Sequence, residues 1–297
     1  MGIFYPDLKP RLWYLVVNSL NSLNKQVKYQ IERLVKYGAF VQHRLIKHGI
    51  EMKKIDPSQL IPMNLFENTA PIRINLAYSI DEAPNIFGEI YHKNALLWLH
   101  EDLASIIVLA AYKCFENTGL NFVLYDGLRT IEAQAKMSEA PIVKANPSWL
   151  EPPRLLSPPG AGAHPRGMAI DVSLMDKRGA LIDMGTVFDH LSPQSSAEFN
   201  PAHRQYVQLS AEAKSNRALL DHSMLEAAEE LNLELLPLPQ EWWDYRMPEN
   251  IYKQYAPLSD QDLPPEMRMV ETLAETDIPS VYAPQIEGIL ERVKPYI

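Results

Sequence analysis

Asp171 stands inside a run that is otherwise apolar or small, Met168-Ala169-Ile170-Asp171-Val172-Ser173-Leu174. Its alternation predicts a strand over Ala169 to Leu174, with Asp171 and Ser173 on one face. A carboxylate carried into a protein interior costs roughly several kcal/mol unless a cation or hydrogen-bond donors meet it. The chain must therefore fold so that a suitable partner faces Asp171. Two candidates stand just upstream in His164-Pro165-Arg166-Gly167. In an unbroken strand, the odd spacing from His164 to Asp171 would put their side chains on opposite faces. Pro165 and Gly167 relieve that conflict, because a rigid turn followed by a permissive residue can swing His164 back over the strand. The pair then reads either as a structural Asp–His or Asp–Arg166 contact, or as an oxygen and a nitrogen ligand of a metal centre.

Glu241-Trp242-Trp243-Asp244 adds two carboxylates beside two tryptophans. A helical turn or a strand bulge would aim both carboxylates into one site. At least one tryptophan is expected in the core. Glu241 is either an ordinary surface carboxylate or, shielded by aromatic surface, a general base. Arg129 follows the turn signal Asp126-Gly127 at a strand end, where its fork of donors can clamp a carboxylate or a developing oxyanion, or form a surface ion pair. Asp189, after Gly185 and Phe188, suits a cation or a helix cap. The other histidines show no metal-ligand spacing of their own.

Along the chain, Leu12 to Val35 carries an amphipathic helical pattern that extends towards Met52. It suits packing on its own domain, pairing with a second copy, or contact with a membrane surface. Ile55 to Ile74 is broken by Pro57, Pro62 and Pro71 and reads as an extended connection, with Asn75 to Tyr78 a short strand. Helices are expected over Asn94 to Cys114, stopped by Gly119, over Thr130 to Met137, and over Ala211 to Leu231. Phe122 to Tyr125 and Leu233 to Leu238 read as strands, and Ala180 to Ile182 as a hairpin partner of the Asp171 strand. The proline-rich stretch Pro141 to Gly162 reads as a loop across the mouth of a cleft. Two helical patches close the chain, Glu266 to Glu275 and Gln285 to Val293.

These elements predict an α+β fold: a small antiparallel sheet carrying the site, flanked by helices, with helical extensions at both ends. The expected division is 1–60 N-terminal extension, 61–256 catalytic domain and 257–297 C-terminal appendage. The net charge of -9 argues against a general affinity for nucleic acid. Cys114 is the one cysteine, which excludes thiolate-rich metal sites and an internal disulfide. Without a transmembrane run or a convincing signal peptide, the cytoplasm is expected rather than the periplasm.

In combination, Tyr125-Asp126-Gly127-Leu128-Arg129, His164 to Asp171, Met184-Gly185-Thr186-Val187-Phe188-Asp189 and Glu241 to Tyr245 resemble the D-alanyl-D-alanine dipeptidases. That family includes the vancomycin-resistance enzymes and is related to zinc D,D-carboxypeptidases and hedgehog-type domains. The resemblance spans about Asn75 to Tyr255. It implies zinc-dependent hydrolysis of D-Ala-D-Ala by metal-activated water, with His164, Asp171 and Asp244 as ligands and Glu241 as base. Arg129 would stabilise the tetrahedral intermediate, while Asp189 and Tyr78 would hold the substrate ammonium. The family carries histidine where this chain has Asp244, and serine where it has Gly162. With two carboxylates on the ion, a harder metal such as Mn²⁺ is an alternative to Zn²⁺. The rival functions are a D,D- or L,D-carboxypeptidase on cell-wall peptides, and a non-catalytic peptide- or partner-binding relative, with a homo-oligomer formed through the N-terminal helix.

Overall fold

The computed structural model describes residues 52–82, 85–151, 155–271 and 278–297. The helix expected over Leu12 to Val35 lies outside them. The chain first forms two short strands, β1 (Leu60–Pro62) and β2 (Ile72–Ile74), within the stretch expected to be a plain connection. Residues Ala77–Ser79, expected as part of a strand, form a single 3-10 turn. Strand β3 (Trp98–His100) pairs antiparallel with β1, and helix α1 (Glu101–Thr118) starts directly after it. The expected start of that helix at Asn94 was too early, because the apolar run through Trp98 continues its pattern but belongs to a strand. His100 caps α1, and Gly119 ends it in the left-handed conformation that favours glycine.

Strand β4 (Asn121–Asp126) leads through Gly127 into helix α2 (Ile131–Ser138), which Thr130 caps through its side chain. The proline-rich stretch contains a short helix α3 (Pro141–Ala145) and a 3-10 turn at Pro147–Leu150, so it is more ordered than a plain loop. Strand β5 (Ala169–Met175) carries Asp171, and Met175 bridges Leu181 as expected for a hairpin return. Helix α4 (Ala211–Glu230) precedes β6 (Leu236–Pro237) and β7 (Asp244–Arg246). A short helix α5 (Glu249–Tyr252) and a long α6 (Ile278–Val293) follow. The described part of the patch expected from Glu266 holds only a 3-10 turn, Pro265–Met267.

The main sheet has the order β2-β4-β5-β7-β6. Its pairings are antiparallel except at one edge, where β2 runs parallel to β4, so the sheet is mixed rather than purely antiparallel. The fold is α+β. Lysine 113 on α1 reaches Glu230 on α4 at 2.7 Å, and α6 sets Tyr282 edge-on against Trp98 with ring centroids 5.1 Å apart. Trp242 and Trp243 are both core residues, perpendicular to each other at 5.3 Å. Full burial of side chains this large stabilises by roughly 1.5–3 kcal/mol each and makes β7 a rigid support. Among the described residues no helix is long and apolar enough to cross a membrane.

One consequence of the sheet register matters above the rest. Asp126 on β4 lies opposite Asp171 on β5, and Asp171 lies opposite Asp244 on β7. Three carboxylates therefore stand in a row across three neighbouring strands, an arrangement that repels unless cations are interleaved.

Candidate metal centre

Cations meet the two outer carboxylates of this row. Arg129 donates from Nε (2.9 Å) and Nη2 (2.5 Å) to Asp126 Oδ2, while the Tyr91 hydroxyl donates to Asp126 Oδ1 at 2.5 Å. Arg246, two residues along β7 from Asp244 and so on the same face, donates from Nε to Asp244 Oδ1 at 2.8 Å and from Nη2 to Oδ2. The central carboxylate has no such partner. Arg129 Nη2 is 3.8 Å from Asp171 Oδ2, and Asp171 Oδ1 is buried with no hydrogen-bond donor. Three negative charges thus face two positive ones, and the uncompensated charge is on Asp171. Burial, then Asp244 and Asp126, pushes the Asp171 carboxyl well above its ordinary range.

His164 completes the set from the other side. Residues His164–Arg166 form a 3-10 turn that Gly167 ends at φ 61°, which brings the imidazole over β5 as the Pro165 and Gly167 spacing predicts. Nδ1 is 2.8 Å from the Gly127 carbonyl oxygen. Since a carbonyl only accepts, Nδ1 carries a proton, and in the neutral ring the lone pair is on Nε2. Nε2 lies 3.7 Å from Asp171 Oδ1 and 3.4 Å from Asp244 Oδ2. Asp126, by contrast, sits 3.3 Å from the protonated Nδ1. Asp126, His164 and Asp171 offer ligand atoms within 4.8 Å of one another, but the donors on Asp126 make it a support for the ring and for Arg129. Arg166 is not the partner of Asp171, for its guanidinium is spent on the carbonyls of Tyr255, Gly160 and Gly162.

The donor set fits a divalent cation, because an orphaned carboxylate oxygen faces an imidazole lone pair at a distance one ion could bridge. Asp244 is the altered member. Burial pushes its carboxyl up, but the forked Arg246 together with His164 more than offsets this and holds it below the usual carboxylate range. Two ligand carboxylates were expected to neutralise a dication. Arg246 sets a positive charge directly against Asp244.

A cleft opens beside these residues, lined by Tyr78, Arg129, His164, Asp171, Asp189, Glu241 and Asp244, the site candidates of the sequence. Leu155, Leu156 and Ser157 close one side, in the proline-rich stretch expected to cross the mouth. Glu241 is half-buried, and burial together with Asp244 pushes it up to about 8. Asp189 accepts a hydrogen bond from the Tyr78 hydroxyl at 2.8 Å. Enclosure raises its carboxyl to about 6, while the Tyr78 bond opposes that shift. Its φ of 62° is left-handed, a conformation that costs a non-glycine residue on the order of 1 kcal/mol and often marks a working residue. Arg129 also lies over the Tyr78 ring at 5.2 Å.

Two residues that shape the candidate site escaped the sequence reading. Asp126 read only as a turn signal, and its place opposite Asp171 depends on a register that also shifts between Leu124 and Asp126. Arg246 carried a usable local signal, an arginine two residues after an aspartate at the start of a strand.

Gly127 holds the centre together by close approach. A Cβ there would lie 2.7 Å from the Trp98 carbonyl oxygen and 2.9 Å from the Leu97 and Leu99 side chains. Gly127→Ala is therefore expected to destabilise the fold by about 1–3 kcal/mol and to weaken metal retention, since the same residue's carbonyl orients His164. Urea unfolding and metal analysis check this; an unchanged midpoint would show that the turn is not tightly seated.

Set beside known proteins, the chain is a metallopeptidase. It belongs to peptidase family M15, described as D-ala-D-ala dipeptidase, whose family pattern matches residues 59–259. Peptidases of this family are metal-dependent. The chain is similar to the D-alanyl-D-alanine dipeptidase of Escherichia coli (strain K12), with 29% identity over 191 residues, covering 64% of this chain and 85% of that protein. It also matches the crystal structure of Serratia marcescens L-Ala D-Glu endopeptidase ChiX at a TM-score of 0.30 and 16% identity, covering 61% of this chain and 93% of that one, a likeness too slight to carry weight.

Proposed function

We propose that the protein is a zinc-dependent dipeptidase that cleaves D-Ala-D-Ala, with His164 Nε2, Asp171 and Asp244 holding the ion. The observation that carries this reading is the orphaned Asp171 Oδ1 facing the His164 lone pair, inside a cavity that also holds Glu241. When bound there, zinc supplies Lewis-acid polarisation of the substrate carbonyl and of water. Glu241 accepts a proton from the attacking water as the new C–O bond forms. It then delivers that proton to the leaving amine nitrogen as the C–N bond breaks. Burial and the neighbouring Asp244 raise this carboxyl, which makes the ionised Glu241 a stronger proton acceptor for the first step. Arg129, fixed by Asp126 and Tyr78, presents positive charge to the oxyanion. Asp189 and the Tyr78 hydroxyl hold the free ammonium, which excludes N-blocked and longer peptides.

Incubation with D-Ala-D-Ala and zinc is expected to release D-alanine, and N-acetyl-D-Ala-D-Ala is expected to survive. Cleavage of only the acetylated peptide would indicate a carboxypeptidase; cleavage of neither would end the D-Ala-D-Ala dipeptidase reading. Ammonium binding also needs Asp189 charged. Its raised carboxyl gains a proton as pH falls, so kcat/KM should drop as pH goes down through about 6. Tyr78→Phe removes a bond that favours the charged form and should move that limb to higher pH. A limb that stays in place in Tyr78→Phe would separate Asp189 from substrate recognition.

A further inference from the structure

We propose that Arg246 binds the free carboxylate of the substrate, so that the site recognises a small peptide as a zwitterion. This rests on the cavity being a peptidase site and names a specificity-determining residue within it.

A guanidinium has two edges that can each pair with a carboxylate. Arg246 uses one of them, Nε and Nη2, on Asp244. The other edge, formed by Nη1 and the second Nη2 proton, has no protein partner among the described residues. Arg246 is also open to solvent, its side chain 22% exposed where that of Asp244 is 1%. It lines both the central cleft and a neighbouring one. Glu241 lines both as well, whereas Tyr78 and Asp189 line only the central one. The central cleft thus holds both the acidic Asp189 and the cationic Arg246, the pair of charges that a molecule with an ammonium at one end and a carboxylate at the other would match.

The fork to Asp244 strengthens this reading. It fixes the plane of the guanidinium before substrate arrives, so little side-chain freedom is lost on binding. Arginine held only to neutralise Asp244 would satisfy the ion pair equally well but would not distinguish a free carboxylate from its amide.

That distinction is the test. Full-length Glu241→Gln protein, which spares the ligand, is titrated calorimetrically in the presence of zinc with D-Ala-D-Ala and with D-alanyl-D-alaninamide. The same titrations are made after adding Arg246→Met or Arg246→Lys, with zinc content recorded in each. With Arg246 present, the acid should bind on the order of 30-fold more tightly than the amide. Arg246→Met should bring the two within about threefold, since the second edge is gone. Arg246→Lys, which keeps a charge beside Asp244 and protects against misfolding, should retain only part of the preference. Because each variant supplies its own acid-to-amide ratio, a general loss of affinity does not imitate the effect. No binding of the acid, equal binding of acid and amide, or a preference that survives Arg246→Met would overturn the proposal. A parent protein that prefers the acid through Arg246 yet cleaves no D-Ala-D-Ala would leave this inference standing and remove the D-Ala-D-Ala dipeptidase reading. Cleavage of D-Ala-D-Ala with no Arg246-dependent preference would do the reverse.

Discussion

Asp171→Ala should leave the protein folded and without its metal. The parent is expected to retain about one divalent ion per chain, the complement of a mononuclear site, and the variant to retain none after dialysis. The expectation follows from the row of carboxylates across β4, β5 and β7. Asp126 and Asp244 each have an arginine, and only Asp171 offers a buried oxygen with no donor. A second readout separates a ligand from a structural aspartate. With the metal stripped from both proteins, Asp171→Ala should melt higher than the parent, because it removes a buried carboxyl that desolvation and its two acidic neighbours disfavour. A structural Asp–His contact would give the opposite sign, since its loss would strand His164.

Glu241→Gln is expected to keep the metal and lose turnover of D-Ala-D-Ala by a factor of about 10²–10⁴. Glutamine fills the same space and keeps an acceptor, but it cannot take a proton from water or return one to the amine. KM should change much less than kcat, as the proton transfer belongs to the transition state. Turnover within about threefold of the parent would remove Glu241 from the chemistry. Loss of the metal as well would assign Glu241 to the ligand set instead.

Both predictions grew from residues that could be singled out without coordinates, and the reason is local. Asp171 breaks an apolar alternation, and Pro165 with Gly167 marks the turn that carries His164 over β5. The Glu241 segment is confined to a few positions by its tryptophans. Thr130 and Gly119 announced their caps for the same reason, since a cap is a property of one turn of chain. What stayed hidden depends on pairing between distant segments. Strands β1, β2 and β6 are two or three residues long, too short for any alternation to show. The run through Trp98 continues the apolar pattern of α1, and only its pairing with β1 makes it a strand. The alignment of Asp126 with Asp171 and Asp244 required the register of three strands. That alignment turns Arg246 from an unremarked charge into the ion-pair partner of Asp244.

The proposed metal ion would sit on the Nε2 side of His164, between Asp171 and Asp244. Anomalous diffraction at the zinc absorption edge, from crystals grown with zinc, locates the ion directly. A single peak within bonding distance of His164 Nε2, Asp171 and Asp244 is the expected result. A peak on the Nδ1 side of His164 against Asp126, or none near Asp171, would contradict it.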